Sequence, residues 1–140
     1  MNYTIEELYI GQSASFTKTI TETDVYLFAG ISGDINPAHI NETYANGTYF
    51  KCRIAHGMLL ASLISATLGM QMPGPGTIYV EQSLRFTTPV YFGDTITASV
   101  EIIELNIEKN KAVLKTHCIN QNKNIVLEGE ATVLPPKQHL

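Results

Sequence analysis

The sequence predicts an α+β fold in which a curved antiparallel sheet wraps around one buried central helix. Three features carry that expectation. The run Met58-Leu-Leu-Ala-Ser-Leu-Ile-Ser-Ala-Thr-Leu68 is apolar on nearly every face, the pattern of a helix enclosed by other elements. Beyond Thr77 the apolar period changes from helical to two, which marks strands with one face toward water. A helix and a sheet that both present apolar surface bury it together when the sheet curls around the helix. With 140 residues, 44% hydrophobic and 16% charged, the chain 1–140 reads as a single domain that can build a core without disulfide or metal support.

Taken in order, a first short strand is expected over 13–20. Thr21 then suits a helix N-cap, with Asp24 at the third helical position, where an acid meets the helix dipole favourably. Val25, Phe28 and Ala29 recur at helical spacing, and the helix should stop within 30–33, where Gly30, Ser32 and Gly33 loosen the backbone. Asp34 thus opens a loop, and 41–45 reads as a short helical turn capped by Asn41. The central helix is expected over 57–68, ending at Gly69, and Pro73-Gly-Pro-Gly76 breaks the chain after it. Strands are expected over 77–86, 95–105, 112–121 and 124–134. In the last, Ile125, Leu127, Gly129, Ala131 and Val133 share one face and Glu128, Glu130 and Thr132 the other, with Asn122-Lys123 as the preceding hairpin turn.

Composition excludes several functions. Nine Lys plus Arg against thirteen Asp plus Glu leave a net charge of -4, which argues against a broad nucleic-acid footprint. No apolar stretch approaches the ~18 to 20 residues of a membrane span, and the first residues lack the pattern of a signal peptide. Cys52 and Cys118 make neither a disulfide framework nor a zinc spacing. A cytoplasmic protein without membrane or nucleic-acid partners is the expectation.

The chemistry-bearing residues cluster early. Gly33-Asp34-Ile35-Asn36-Pro37-Ala38-His39 joins an acid and an imidazole on a loop stiffened by proline, and such a pair can share one water, the acid accepting a proton and the imidazole donating or relaying one. Asp-x-Asn-Pro is equally ordinary turn chemistry, so the motif needs company. That company is Gly57, at the start of the apolar helix, where backbone N–H groups attract negative charge and the absence of a side chain admits a ligand oxygen. A thioester carbonyl seated there would have its developing enolate charge stabilised; the alternative is that Gly57 serves close packing alone. His56 is read as a hydrogen-bonded structural residue, and the hydroxyls of Ser62 and Ser65 can bond the preceding turn. The spacing of Asp34, His39 and His56 matches no metal signature, so no metal is expected.

These residues, with Ala55-His56-Gly57-Met58-Leu59, Pro73-Gly-Pro-Gly-Thr-Ile-Tyr-Val80, Ser83-Leu-Arg-Phe86, Pro89-Val90 and Phe92-Gly93-Asp94, resemble the MaoC-like (R)-specific enoyl-CoA hydratases, in order from about Ile10 to Val133. The resemblance implies a hot-dog fold with an overhanging helix-loop segment that carries active-site residues. It implies reversible syn addition of water to a trans-2-enoyl-CoA, giving the (R)-3-hydroxyacyl-CoA. Asp34 would be the principal base, His39 its partner, Gly57 the N–H donor to the thioester oxygen, Ser65 a supporting hydroxyl, and Asn36 an orienting group for loop or carbonyl. No separate cofactor is implied, because coenzyme A is part of the substrate. A homodimer, or a higher homo-oligomer of dimers, is implied too, with Lys51, Arg53, Arg85 and Lys111 as candidate cations for the coenzyme A phosphates. A thioesterase or acyl-carrier-protein dehydratase on the same fold competes with this reading, although 57–68 lacks the acid that the dehydratase pattern places on its helix. A non-catalytic acyl-CoA-binding module is the other competitor.

Overall fold

Helix α4, Gly57–Met70, is the axis of the structure, which a computed structural model describes over residues 1–139. Leu60, Leu63, Ile64, Thr67 and Leu68 of α4 are buried, while Met58, Ser62, Ser65 and Met70 form an exposed stripe. The sequence reading of a helix enclosed on all sides is corrected here: the sheet covers one side of the cylinder and leaves the stripe uncovered. The helix also runs past Gly69. Its last carbonyls are met beyond it, the Leu68 oxygen accepting from the N–H of Gly74, which takes the left-handed backbone (φ +97).

The sheet comprises β1 (Ser13–Thr19), β2 (Ile78–Gln82), β3 (Arg85–Phe86), β4 (Thr95–Asn106), β5 (Lys111–Ile119) and β6 (Ile125–Leu134). All pairings are antiparallel, in the order β1-β4-β5-β6-β2, with β3 also on β6. Every second residue of the two central strands faces α4: Ile96, Ala98, Val100 and Ile102 from β4, and Ala112, Leu114, Thr116 and Cys118 from β5, all fully buried. Each large aliphatic side chain removed from water in this way contributes about 1.5–3 kcal/mol, so this seam decides how the sheet wraps. Burial pushes the Cys118 thiol up to about 12, and neither cysteine is in a disulfide. Among the described residues no helix is long and apolar enough to cross a membrane.

Two strand expectations are corrected. The stretch 77–86 is not one strand: after a register shift between Tyr79 and Glu81, the end of β2 and β3 share a register on β6, but Ser83 leaves the ladder between them, its N–H donating to the Glu130 carbonyl while its hydroxyl accepts from the Glu130 N–H. The Ser83 carbonyl lies over Gly129, 1.8 Å from where a Cβ would be. In β6, Ile125 is exposed at 44% and Val126 is buried, because a register shift at Cys118/Ile119 rotates the strand's first residues. The turn before it spans Asn120 to Asn124, with the Asn120 Oδ1 accepting from the N–H groups of Asn122 and Asn124 and Lys123 at φ 65.

Before α4 the chain forms a 3-10 turn at Ile5–Glu7 and three α-helices, α1 (Glu22–Ser32), α2 (Pro37–Ile40) and α3 (Glu42–Asn46). Thr21 and Asp24 form a reciprocal capping box on α1, and Gly33 in the left-handed region (φ 80) ends it. Helix α2 was not expected. Asn36 caps it through a 3.1 Å bond from the Ala38 N–H, and Pro37 fits its first position.

Gly129→Ala should destabilise the protein by about 1–3 kcal/mol, since the new methyl cannot coexist with the Ser83 backbone where it stands. Urea denaturation measures this; an unchanged midpoint would mean that the β2–β3 connection moves aside freely.

Candidate active site

Local hydrogen bonds shape the loop after α1. The Ser32 hydroxyl accepts from the Asp34 N–H at 3.0 Å, and the Asp34 Oδ1 accepts from the Asn36 N–H at 3.2 Å. These bonds leave the Asp34 carboxylate exposed. His39 sits within α2 and is 9% exposed, its Nδ1 2.6 Å from the Ile54 carbonyl. A carbonyl only accepts, so Nδ1 carries the proton and Nε2 of the neutral ring keeps its lone pair.

The structure brings His56 into the same cluster. Only 2% exposed, it directs Nε2–H at the backbone carbonyl of Asp34, 2.9 Å away. Its ring stacks on that of His39 with centroids 3.9 Å apart and planes 30° from parallel, and Phe28 of α1 packs at 4.9 Å. By the same reasoning as for His39, Nδ1 of His56 is unprotonated, and it is buried with no hydrogen-bond partner. Burial is the main reason that the ring resists protonation, lowering its pKa from the ordinary value. A carboxylate oxygen of Asp34 and one nitrogen from each imidazole lie within 4.8 Å of one another.

Gly57 follows His56 directly. His56 is the N-cap of α4 but makes no side-chain cap bond; the Leu59 N–H donates to the His56 carbonyl, and no side chain caps the N–H groups of Gly57 and Met58. A Cβ at Gly57 would lie 2.6 Å from the Phe86 ring. The absence of a side chain thus brings β3 against the start of the helix. Asp34, His39, His56, Gly57 and Phe86 line one cleft of about 430 Å³, otherwise walled mainly by apolar residues such as Val90 and Val126. A larger groove of about 680 Å³ lies on the outer sheet face, where Lys115 and His117 mix with Glu128 and Glu130; it holds none of these groups.

Other residues singled out from sequence fall elsewhere within the chain. The Asn36 side chain caps α2. Ser65 lies on the exposed stripe of α4, two helical turns or about 12 Å beyond Gly57, and does not line the cleft. Lys51 is exposed next to Phe50, which lines it. Arg53 is committed to structure: its Nε meets Glu42 at 2.8 Å, Nη2 meets Glu22 at 2.6 Å, Nη1 donates to the Tyr26 hydroxyl at 2.7 Å, and the guanidinium lies 4.8 Å from the Phe92 ring centre. Its bond to Glu42 above all, then those to Glu22 and Tyr26, raises its pKa. Arg85 lines the outer groove, on the opposite face of β3 from Phe86. Lys111 begins β5, about 23 Å along the strand from Cys118, the end nearer the cleft.

The residue that sequence reasoning undervalued is His56. The signal was its position immediately before the helix-opening glycine, which ties whatever holds the imidazole to whatever binds at Gly57.

The MaoC like domain matches residues 7–123. The chain is 57% identical over 131 residues to a protein named (R)-specific enoyl-CoA hydratase from Rhodospirillum rubrum, covering 94% of this chain and 90% of the relative. It is 44% identical over 133 residues to the 3-hydroxybutyryl-CoA dehydratase of Methylorubrum extorquens, covering 95% and 84%. Among solved structures, the unliganded R-hydratase from Pseudomonas aeruginosa superimposes with a TM-score of 0.94 at 46% identity, over 99% of this chain and 89% of that one. These likenesses agree in family, fold and coverage, and the chain belongs to the MaoC-like domain family.

Proposed function

We propose that this chain is an (R)-specific enoyl-CoA hydratase, which adds water reversibly to a trans-2-enoyl-CoA to give the (R)-3-hydroxyacyl-CoA. One observation carries the mechanism: the Asp34–His39 pair and the Gly57 N–H line the same cleft. The names of the relatives in both directions, hydratase and dehydratase, support the reversible hydro-lyase reaction.

In this reading the water donates one hydrogen to the Asp34 carboxylate and the other to Nε2 of His39, which aims an oxygen lone pair at C3. The C3–O bond forms as the π pair of C2=C3 moves onto the thioester as an enolate. The Gly57 N–H and the start of α4 stabilise that charge. Asp34 takes the proton from the water and returns it to C2 on the same face, so the addition is syn and charge and atoms balance. Coenzyme A enters and leaves as part of the substrate. The exposed α4 stripe, together with Ile78, Tyr79 and Val80 exposed on edge strand β2, supports a homodimer.

Mixing the protein with crotonyl-CoA should deplete the conjugated enoyl absorbance, and chiral analysis should find the (R) product; no turnover on short or medium chains would overturn the proposal. Asp34→Asn and His39→Gln should each lower kcat by on the order of 10²–10⁴-fold without unfolding the protein. Either variant near wild type would refute its assigned role. Gly57→Ala should stay folded, since alanine is the better helix former, but should lose roughly tenfold or more in kcat/KM because the Phe86 ring must shift beside the thioester position. Unchanged kinetics would remove Gly57 from the site.

A further inference from the structure

We propose that His56 is the positioning residue of this site, setting Asp34 through its backbone carbonyl and His39 through ring stacking while remaining neutral itself. The inference rests on the hydratase reading and adds to it a residue that handles neither water nor thioester.

The Asp34 carboxylate has little else to place it. Within the loop it accepts one long bond, from the Asn36 N–H, and it is exposed. The bond that ties residue 34 to the body of the protein is the one from His56 Nε2–H to its carbonyl. Likewise His39 is anchored at Nδ1 by the Ile54 carbonyl, but a single bond leaves the ring free to swing about it; the His56 face 3.9 Å away removes that freedom. One side chain therefore fixes both members of the pair, and its own backbone leads into Gly57. Water and thioester sites are thereby set relative to each other through adjacent residues.

Packing alone does not account for a histidine here. Phenylalanine or leucine would fill the space without leaving a buried nitrogen unpartnered, as Nδ1 of His56 is. What an apolar side chain could not do is donate to the Asp34 carbonyl. Neutrality follows from the surroundings. The titratable groups facing the ring are His39 from α2 and Asp34 from the preceding loop; α1 contributes the uncharged Phe28 ring, and the first turn of α4 carries no charged residue. A cationic ring stacked on His39 would oppose any proton that His39 receives.

Three proteins test the proposal: wild type, His56→Phe, which keeps an aromatic face without the donor, and His56→Gln, which restores an N–H near the Nε2 position. Kinetics on crotonyl-CoA, thermal midpoints, and NMR of the imidazole nitrogens and the Asp34–Ile35 amides are measured on each. We expect His56→Phe to lose kcat by about tenfold or more with KM changed by less than about threefold, and His56→Gln to recover most of it. In the NMR, His56 of the wild type should be the Nε2–H tautomer, and the Asp34–Ile35 amides should move in His56→Phe more than in His56→Gln. A folded His56→Phe with wild-type kcat, or a folded His56→Gln no better than His56→Phe, would overturn the proposal. If wild type turned over no enoyl-CoA, the hydratase reading would fail, and the NMR would decide the positioning claim: unmoved amides refute it. Should His56→Phe not fold, His56→Gln and the wild-type tautomer decide it.

Discussion

The site depends on an imidazole N–H directed at a main-chain oxygen, from His56 to Asp34. Asp34 lies on an exposed loop that short-range turn bonds shape but do not attach to anything rigid. His56, by contrast, is buried where the chain turns into α4, the most buried helix of the structure. The 2.9 Å bond between them ties the loop that carries the exposed Asp34 carboxylate to the core. A second imidazole-to-carbonyl bond, from His39 to Ile54, repeats the device two residues upstream of His56. Both rings thus have one nitrogen engaged by backbone, which decides their tautomers and leaves the lone pair of a neutral His39 ring at Nε2.

The remainder of the fold holds this arrangement still. Segment 53–56 is pinned to the core by the Ala55 N–H donating to the Val90 carbonyl and by the bridge between Ile54 and Tyr91. Arg53 reaches from that segment to Glu22 on α1 and Glu42 on α3, clamping the two helices that flank Asp34 and His39. Exposed ion pairs are individually weak, but a guanidinium with two carboxylates, a hydroxyl and an aromatic ring is a network whose geometry is specific. The cation that resemblance offered to a phosphate is therefore used to hold the overhanging helices in place.

Much of this was legible from residues alone wherever the controlling interaction is local. Thr21 and Asp24 announce α1 because a capping box closes within one turn, and the change of apolar period announces the sheet because alternation is a property of each strand by itself. What escaped was governed at long range. Gly69 looked like the end of α4, but the helix runs on to Met70, and the Leu68 carbonyl is met by the N–H of Gly74. The break between β2 and β3 depends on Gly129, some forty residues on, admitting the Ser83 carbonyl. In the site, the acid, the imidazole and the glycine were visible as a motif with plausible chemistry. The part played by His56 was not, because its partners are a carbonyl 22 residues earlier and a ring on a four-residue helix that no periodicity could reveal. Cations proved hardest to place, since a surface lysine's position follows from which end of the sheet it occupies.

The proposed site has two ends, Asp34 and His39 for the water and Gly57 for the thioester. The crystal structure of the Asp34→Asn protein with bound (R)-3-hydroxybutyryl-CoA measures both ends at once. The thioester oxygen is expected at about 3 Å from the Gly57 nitrogen and the 3-hydroxyl between residue 34 and His39. A thioester seated away from the start of α4, or a hydroxyl remote from that pair, would contradict that expectation.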